Sequence, residues 1–174
     1  VRSKSLKIAG DKLNQDIIQF IRDEFKLAIG EPTAEDLKIT IGSAVPLEQK
    51  LELAIRGRDL ATGLPKEVMV RDIQIRAALS KSLKGIVEAI KEVIEISPPE
   101  LVGDMLRQGV HLCGGGSMLK GMDVLISKEL GGVDARIVDD PLTCVARGTG
   151  VAVENLGKYK QILNNPLIPR DIKI

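Results

Sequence analysis

Three consecutive glycines, Gly114, Gly115 and Gly116, set the strongest constraint on how this chain can fold. Before them, Val110, Leu112 and Cys113 read as a buried strand; after them, residues 117–130 read as a helix. A second strand is expected over residues 135–138. The turn residues Asp139, Asp140 and Pro141 then lead into a last helix over about residues 142–156. Strand–helix–strand–helix order implies an α/β layer with a mixed or parallel sheet. A glycine loop opening a helix presents free backbone N–H groups with no Cβ in the way of a ligand. No Gly-Lys-Ser/Thr follows, so the loop is not a Walker A loop, nor is it a GxGxxG fingerprint. Taken alone, three glycines are explained somewhat better by a sharp turn that needs positive φ.

Upstream, residues 2–10 read as a short strand, with Leu6 and Ile8 alternating against lysines. Leu13, Ile17, Phe20, Ile21 and Phe25 recur at helical spacing, and Gly30 is the expected end of that helix. Thr33 and Asp36 resemble a capping box for a short helix with a stripe of Ala34, Leu37 and Ile41, ended by Gly42. Leu51, Leu53 and Ile55 alternate as a strand. Residues 57–67 carry turn chemistry, and Val68 and Val70 continue as its hairpin partner. A long helix is expected from about residue 72 to 95, with a break near Ser80 and Ser82. Pro98 and Pro99 open the next helix. The pattern gives two subdomains: residues 1–10 and 73–160 as an α/β core, and residues 11–72 as a smaller inserted α+β unit. Residues 161–174, rich in Pro and Asn, are expected to form a flexible tail.

Composition excludes several functions. With 25 Lys and Arg against 24 Asp and Glu, the formal net charge is +1, and bulk charge draws the chain to no polyanion. Phe20, Phe25 and Tyr159 are the only aromatics, too few for base stacking, so no nucleic-acid partner is expected. The core has to be aliphatic. No apolar run approaches the ~20 residues that span a bilayer, and no leader pattern precedes the first charged segment. Cys113 and Cys144 are expected to be free cytosolic thiols. His111 is the single histidine, on a strand expected to be largely buried. It has no cluster with which to bind zinc and is poorly placed for a nucleophilic triad. Glu35 and Lys38, three apart on the short helix, read most simply as a solvated ion pair. The mixed-sign runs around Arg56, Arg58, Arg71 and Arg76 read as solvated turn surface.

Taken together, several segments resemble the MreB family of bacterial actin-like cell-shape proteins. They are residues 7–13 (KIAGDKL), 29–35 (IGEPTAE) with 41–44 (IGSA), 56–60 (RGRDL) with 62–66 (TGLPK), 98–101 (PPEL), 114–119 (GGGSML), and 140–146 (DPLTCVA) with 148–150 (GTG). They occur in family order and spacing over about residues 2–157. Pro32 stands where many relatives carry a longer polar residue and stiffens the helix entry. The resemblance implies the second half of an actin-like, ribonuclease H-like ATPase fold: a mixed sheet with helices plus a smaller α+β subdomain. In that family ATP, with Mg²⁺, lies between two halves. The phosphate loops, the catalytic acid and the membrane-binding element are expected in the other half, so no catalytic residue is assigned here. Opening on Val1, the chain is expected to be a fragment or a truncated product. By position, Glu35, Asp36, Leu37 and Lys38 match the segment that meets base and ribose. Gly115, Gly116, Ser117 and Met118 match the segment that wraps the adenine.

The resemblance implies a protein that binds ATP, polymerises head-to-tail and guides cell-wall synthesis in rod-shaped cells. Its partners would be further copies, the other half of the fold and cell-wall elongation proteins. Its place would be the cytoplasm, as filaments along the inner membrane. This chain by itself is expected to turn over little or no ATP. The alternative is a truncated, non-catalytic interaction module that copolymerises with or caps an intact relative. Chaperone-type and sugar-kinase-type relatives would need peptide-binding or substrate-binding additions that the sequence does not show.

Overall fold

The structure, a computed structural model, describes residues 2–163. Helix α1 (Gly10–Phe25) buries Leu13, Asn14, Ile17 and Ile21 along one face. It stops at Lys26, which turns left-handed at φ 53°, and not at Gly30. The chain then enters β1 (Leu27–Ala28), a two-residue strand too short to leave a sequence pattern. Helix α2 (Glu31–Thr40) has Gly30 as its N-cap, so Thr33 lies inside the helix and no capping box forms. Its stripe is the expected one: Ala34, Leu37 and Ile41 are fully buried.

Strands β2 (Glu52–Asp59) and β3 (Pro65–Arg71) form an antiparallel hairpin, with β1 on the other edge of β2. The turn is shorter than the expected 57–67, because Gly57 and Arg58 stay in the ladder. A Cβ on Gly57 would lie 2.4 Å from the Ala28 carbonyl oxygen, so glycine is what lets β1 approach. Asp59 closes the turn by accepting the N–H groups of Ala61 (2.8 Å) and Thr62 (2.9 Å), and it pairs with Lys66 at 2.9 Å.

These donors hold the Asp59 carboxyl well below the usual carboxylate range, Lys66 most strongly. A depressed folded-state value stabilises the fold above the unfolded-state value, about pH 4 for aspartate. That stabilisation is lost as pH falls through the folded value. Asp59→Asn is therefore expected to lower stability most at neutral pH. Its urea midpoint should converge on that of the wild type as pH drops below about 4. A gap between the two midpoints that stays constant with pH would rule this out.

Helix α3 (Asp72–Glu95) is one unbroken rod. The serines expected to break it are accommodated: Ser80 donates to the Ala77 carbonyl, and Ser82 donates to Asp16 of α1. The buried stripe of α3 is Ile75, Leu79, Leu83 and Val87. Residues 2–9 form no strand. They run antiparallel along α3, with Ile8 against Gly85, Lys4 paired to Glu92, and Arg2 donating to the Ile96 carbonyl. Arg2 and Lys4 are thus used at the C-terminal end of α3.

Helix α4 (Pro99–Gln108) leads to β4 (Val110–Leu112), which pairs in parallel with β5 (Ala135–Ile137). His111 and its register partner Arg136 lie on the outer face and are exposed, not buried as expected for His111. Helix α5 (Met122–Glu129) packs on β5. Helices α6 (Cys144–Glu154) and α7 (Leu156–Leu163) follow. Of the expected flexible tail, residues 161–163 end α7 and the rest lies outside the described residues.

One aliphatic cluster joins α1, α2, β2, β3 and α3 to Leu119, Met122, Ile126 and Ala135. Phe20 and Phe25 pack only partly against it, so the core is aliphatic as the composition requires. No described helix is long and apolar enough to cross a membrane.

Candidate functional site

The site residues expected from the sequence fall on α2 and on the glycine turn after β4. Leu37 is fully buried, and its side chain belongs to the core. Asp36 is exposed and accepts a hydrogen bond from Thr40 (3.1 Å). Glu35 and Lys38 are in contact: Lys38 Nζ donates to Glu35 Oε2 at 2.7 Å. This is more than the solvated pair that spacing suggests. Lys38 has only 13% of its side chain exposed, and the same Oε2 accepts the Asn14 amide at 2.6 Å. Lys38, then Asn14, hold the Glu35 carboxyl below its ordinary range.

The glycine turn differs from expectation. Residues 117–130 are not one helix: residues 115–118 make a single 3-10 turn, Leu119 is extended, and α5 starts only at Met122. No long-helix dipole therefore points out of the loop. Gly114 and Gly121 take positive φ, 83° and 73°, whereas Gly115 and Gly116 do not. Gly114 N–H donates to the Pro141 carbonyl (2.8 Å), and buried Ser117 closes the turn onto the Gly114 carbonyl (2.7 Å). Gly115 and Gly116 are exposed, and a Cβ on Gly116 would meet nothing within 4 Å. Met118 is 54% exposed beside them.

Lys120 joins the two segments. Its ammonium donates to the carbonyls of Ile39 and Thr40, both at 2.7 Å, at the C-terminal end of α2. A cation there satisfies orphan carbonyls and complements the helix dipole. Its backbone carbonyl accepts Ala44 N–H at 2.8 Å, and Ser43 bridges Lys120 in parallel. Lys120 thus ties the glycine turn to α2 across 80 residues of sequence. The sequence reading passed over it, since a single lysine after a turn carries no local signal. Asn14 was also passed over, but it left a trace: it sits three residues before Ile17, on the apolar stripe of α1.

Among the described residues no three His, Cys, Asp or Glu groups come together to hold a metal, so these residues offer Mg²⁺ no such ligand set. Both cysteines are free thiols.

With this architecture, the chain has part of an actin-like fold. It superposes on the crystal structure of MreB 5 of Spiroplasma citri bound to AMPPNP with a TM-score of 0.84 and 36% identity, covering 91% of this chain and 47% of that one. The structure of that protein bound to ADP gives 0.83. A MamK double helical filament shares the fold at a TM-score of 0.72 and 20% identity, covering 86% of this chain and 46% of that one.

The chain belongs to the MreB/Mbl protein family, whose profile matches residues 1–161. It is 44% identical over 158 residues to the cell shape-determining protein Mbl of Bacillus subtilis, covering 91% of this chain and 47% of the relative. It is 42% identical over 159 residues to the cell shape-determining protein MreB of Escherichia coli, covering 91% and 46%. The chain thus spans about half the length of the curated relatives it matches.

Proposed function

We propose that this chain supplies the adenosine-facing half of an ATP site in an actin-like filament protein that determines rod cell shape. One observation carries the reading: Lys120 holds the exposed Gly115–Met118 turn to the helix that carries the Glu35–Lys38 pair. An open glycine turn can lie against a flat base, since no side chain intervenes at Gly115 and Gly116. A fixed carboxylate and ammonium can meet ribose hydroxyls and a base edge. The residues present suit adenosine. They offer the phosphates little, so the isolated chain should bind weakly. The nucleotide-bound MreB 5 structures of the same fold support this choice of ligand.

In the same reading, ATP closes this half against a partner half and favours head-to-tail self-association. The filaments lie in the cytoplasm along the inner membrane and guide the cell-wall elongation proteins. Family membership supports the shape-determining role. A two-unit division, residues 1–10 and 73–160 against 11–72, goes with it. What supports the division is that β1, β2 and β3 fall within 11–72 and the parallel pair β4 and β5 within 73–160.

The test is calorimetry of AMPPNP and ADP with the 174-residue chain and with Gly116→Asp. The variant adds a side chain where there is open space, so folding should be unaffected. A side chain and charge against the base should weaken binding at least tenfold, about 1.4 kcal/mol. A folded wild-type chain that binds neither nucleotide, or a variant that binds as well as wild type, would sink the assignment.

A further inference from the structure

Asn14 is 7% exposed, on the buried face of α1, and points at α2. Its Nδ2 donates to Glu35 Oε2, but its Oδ1 is buried and has no hydrogen-bond partner. An unpaired buried carbonyl is a cost that an apolar residue of similar size would not incur. The amide cannot escape by flipping. Flipped, its oxygen would face a carboxylate oxygen at 2.6 Å, and its NH₂ would be buried without an acceptor. A polar group retained at a cost to stability marks a position held for something other than packing.

What it holds is specific. Glu35 Oε2 receives two donors, Asn14 and Lys38, while among the described residues Oε1 accepts nothing. Lys38 lies beside the start of α1, with Nζ 3.5 Å from where a Cβ on Gly10 would be. Lys12, one turn before Asp16 on α1, is engaged by it at 2.6 Å, and Lys38 is the charged group acting on Glu35. Removing Asn14 would leave Glu35, 46% exposed, free to swing, and Lys38 with it.

We propose that Asn14 is a positioning residue: its buried carboxamide holds Glu35, and through Glu35 the Lys38 ammonium, in the preset geometry that receives the adenosine end of the nucleotide. This rests on the nucleotide reading given above. Asn14 itself touches no ligand. It fixes the two side chains that do, leaving Oε1 of Glu35 as the free acceptor.

The experiment compares wild type, Asn14→Leu and Asn14→Asp in the 174-residue chain. Three quantities are read: the pH titration of the Glu35 side-chain carboxyl by ¹³C NMR, ADP affinity by calorimetry, and Tm. Leucine removes the donor and also the orphaned carbonyl. The Glu35 midpoint should then rise toward that of an ordinary glutamate and ADP affinity fall about three- to tenfold, with Tm not lowered. Aspartate keeps the shape but sets a second carboxylate against Glu35. The pair must then share a proton, so the midpoint should rise further. A Glu35 midpoint unchanged in both variants overturns the proposal, as does a fall in Tm with midpoint and affinity unmoved, which would make Asn14 merely structural. Should the wild-type chain bind no ADP, the nucleotide reading falls. A midpoint that still rises in the variants would then support Asn14 as the residue holding Glu35 and Lys38.

Discussion

Ile17→Ala is expected to lower the free energy of unfolding by about 2–5 kcal/mol. Ile17 has no exposed surface and sits midway along α1, the helix that packs on both α2 and α3. Truncation removes three methyl or methylene groups from the shared cluster and leaves a cavity. Filling it would take a side chain that can swing, and the fully buried members of the cluster are short aliphatics such as Ile21, Leu37 and Leu79. Both phenylalanines lie at the margin of the cluster, only partly buried. Domains of this size are stable by only about 5–15 kcal/mol, so one substitution should remove a large share of the total. Urea unfolding should show a lower midpoint at an unchanged m-value. Ile17→Val, which removes a single methylene, should cost about 0.5–1.5 kcal/mol. A loss below about 1 kcal/mol for the alanine variant would mean that α1 is not central to the core.

Gly121→Ala is expected to disturb the glycine turn as well as stability. Gly121 has φ 73°, a left-handed conformation that costs a residue with a Cβ roughly 1–2 kcal/mol. The added Cβ would also lie 2.3 Å from Val45 Cγ2. Relief requires moving either Val45 or the backbone just after Lys120. Either shift loosens the contact of Lys120 with Ala44 and with the end of α2. Thermal unfolding should report a lower Tm, and nucleotide affinity should fall even though residue 121 is not in the site. The contrast with Gly116→Asp is the useful one: Gly116 lies in open space, so its variant should lose binding and keep its Tm. Equal Tm values for Gly121→Ala and wild type would show that Val45 yields freely.

Where the side-chain period was long, the sequence was a good guide. The stripes Leu13–Ile17–Ile21 and Ala34–Leu37–Ile41 both face the core. The β2–β3 pairing followed from alternation, although its turn was drawn too wide. Element order implied a mixed or parallel sheet, and β4 and β5 pair in parallel. The misses have physical causes. Residues 2–9 alternate like a strand, but a strand needs a neighbour, and this segment lies along a helix. Thr33 carried a capping signal, but the cap falls three residues earlier, at Gly30, with Pro32 in the first turn. Residues 117–130 have helical composition, but Leu119 is extended and Gly121 turns left-handed, which postpones the helix. In the candidate site, Glu35 and Lys38 were legible as a neighbouring pair. What makes them more than that, the buried amide of Asn14 and the bridge by Lys120, depends on contacts 21 and 80 residues apart that no local pattern encodes.

The uneven burial of the helices has a consequence for how the molecule opens. Helices α4 and α6 bury none of their side chains, whereas α1 and α3 supply much of the core. Backbone amides exchange with solvent at a rate set by the free energy of the opening that exposes them, and that free energy follows buried apolar contact. Amides in the buried stretches of α1 and α3 are therefore expected to exchange slowest, and those of α4 and α6 through smaller local openings. Order in such thinly buried helices is what a docking partner can supply, so that docking would register first as slowed exchange in α4 and α6.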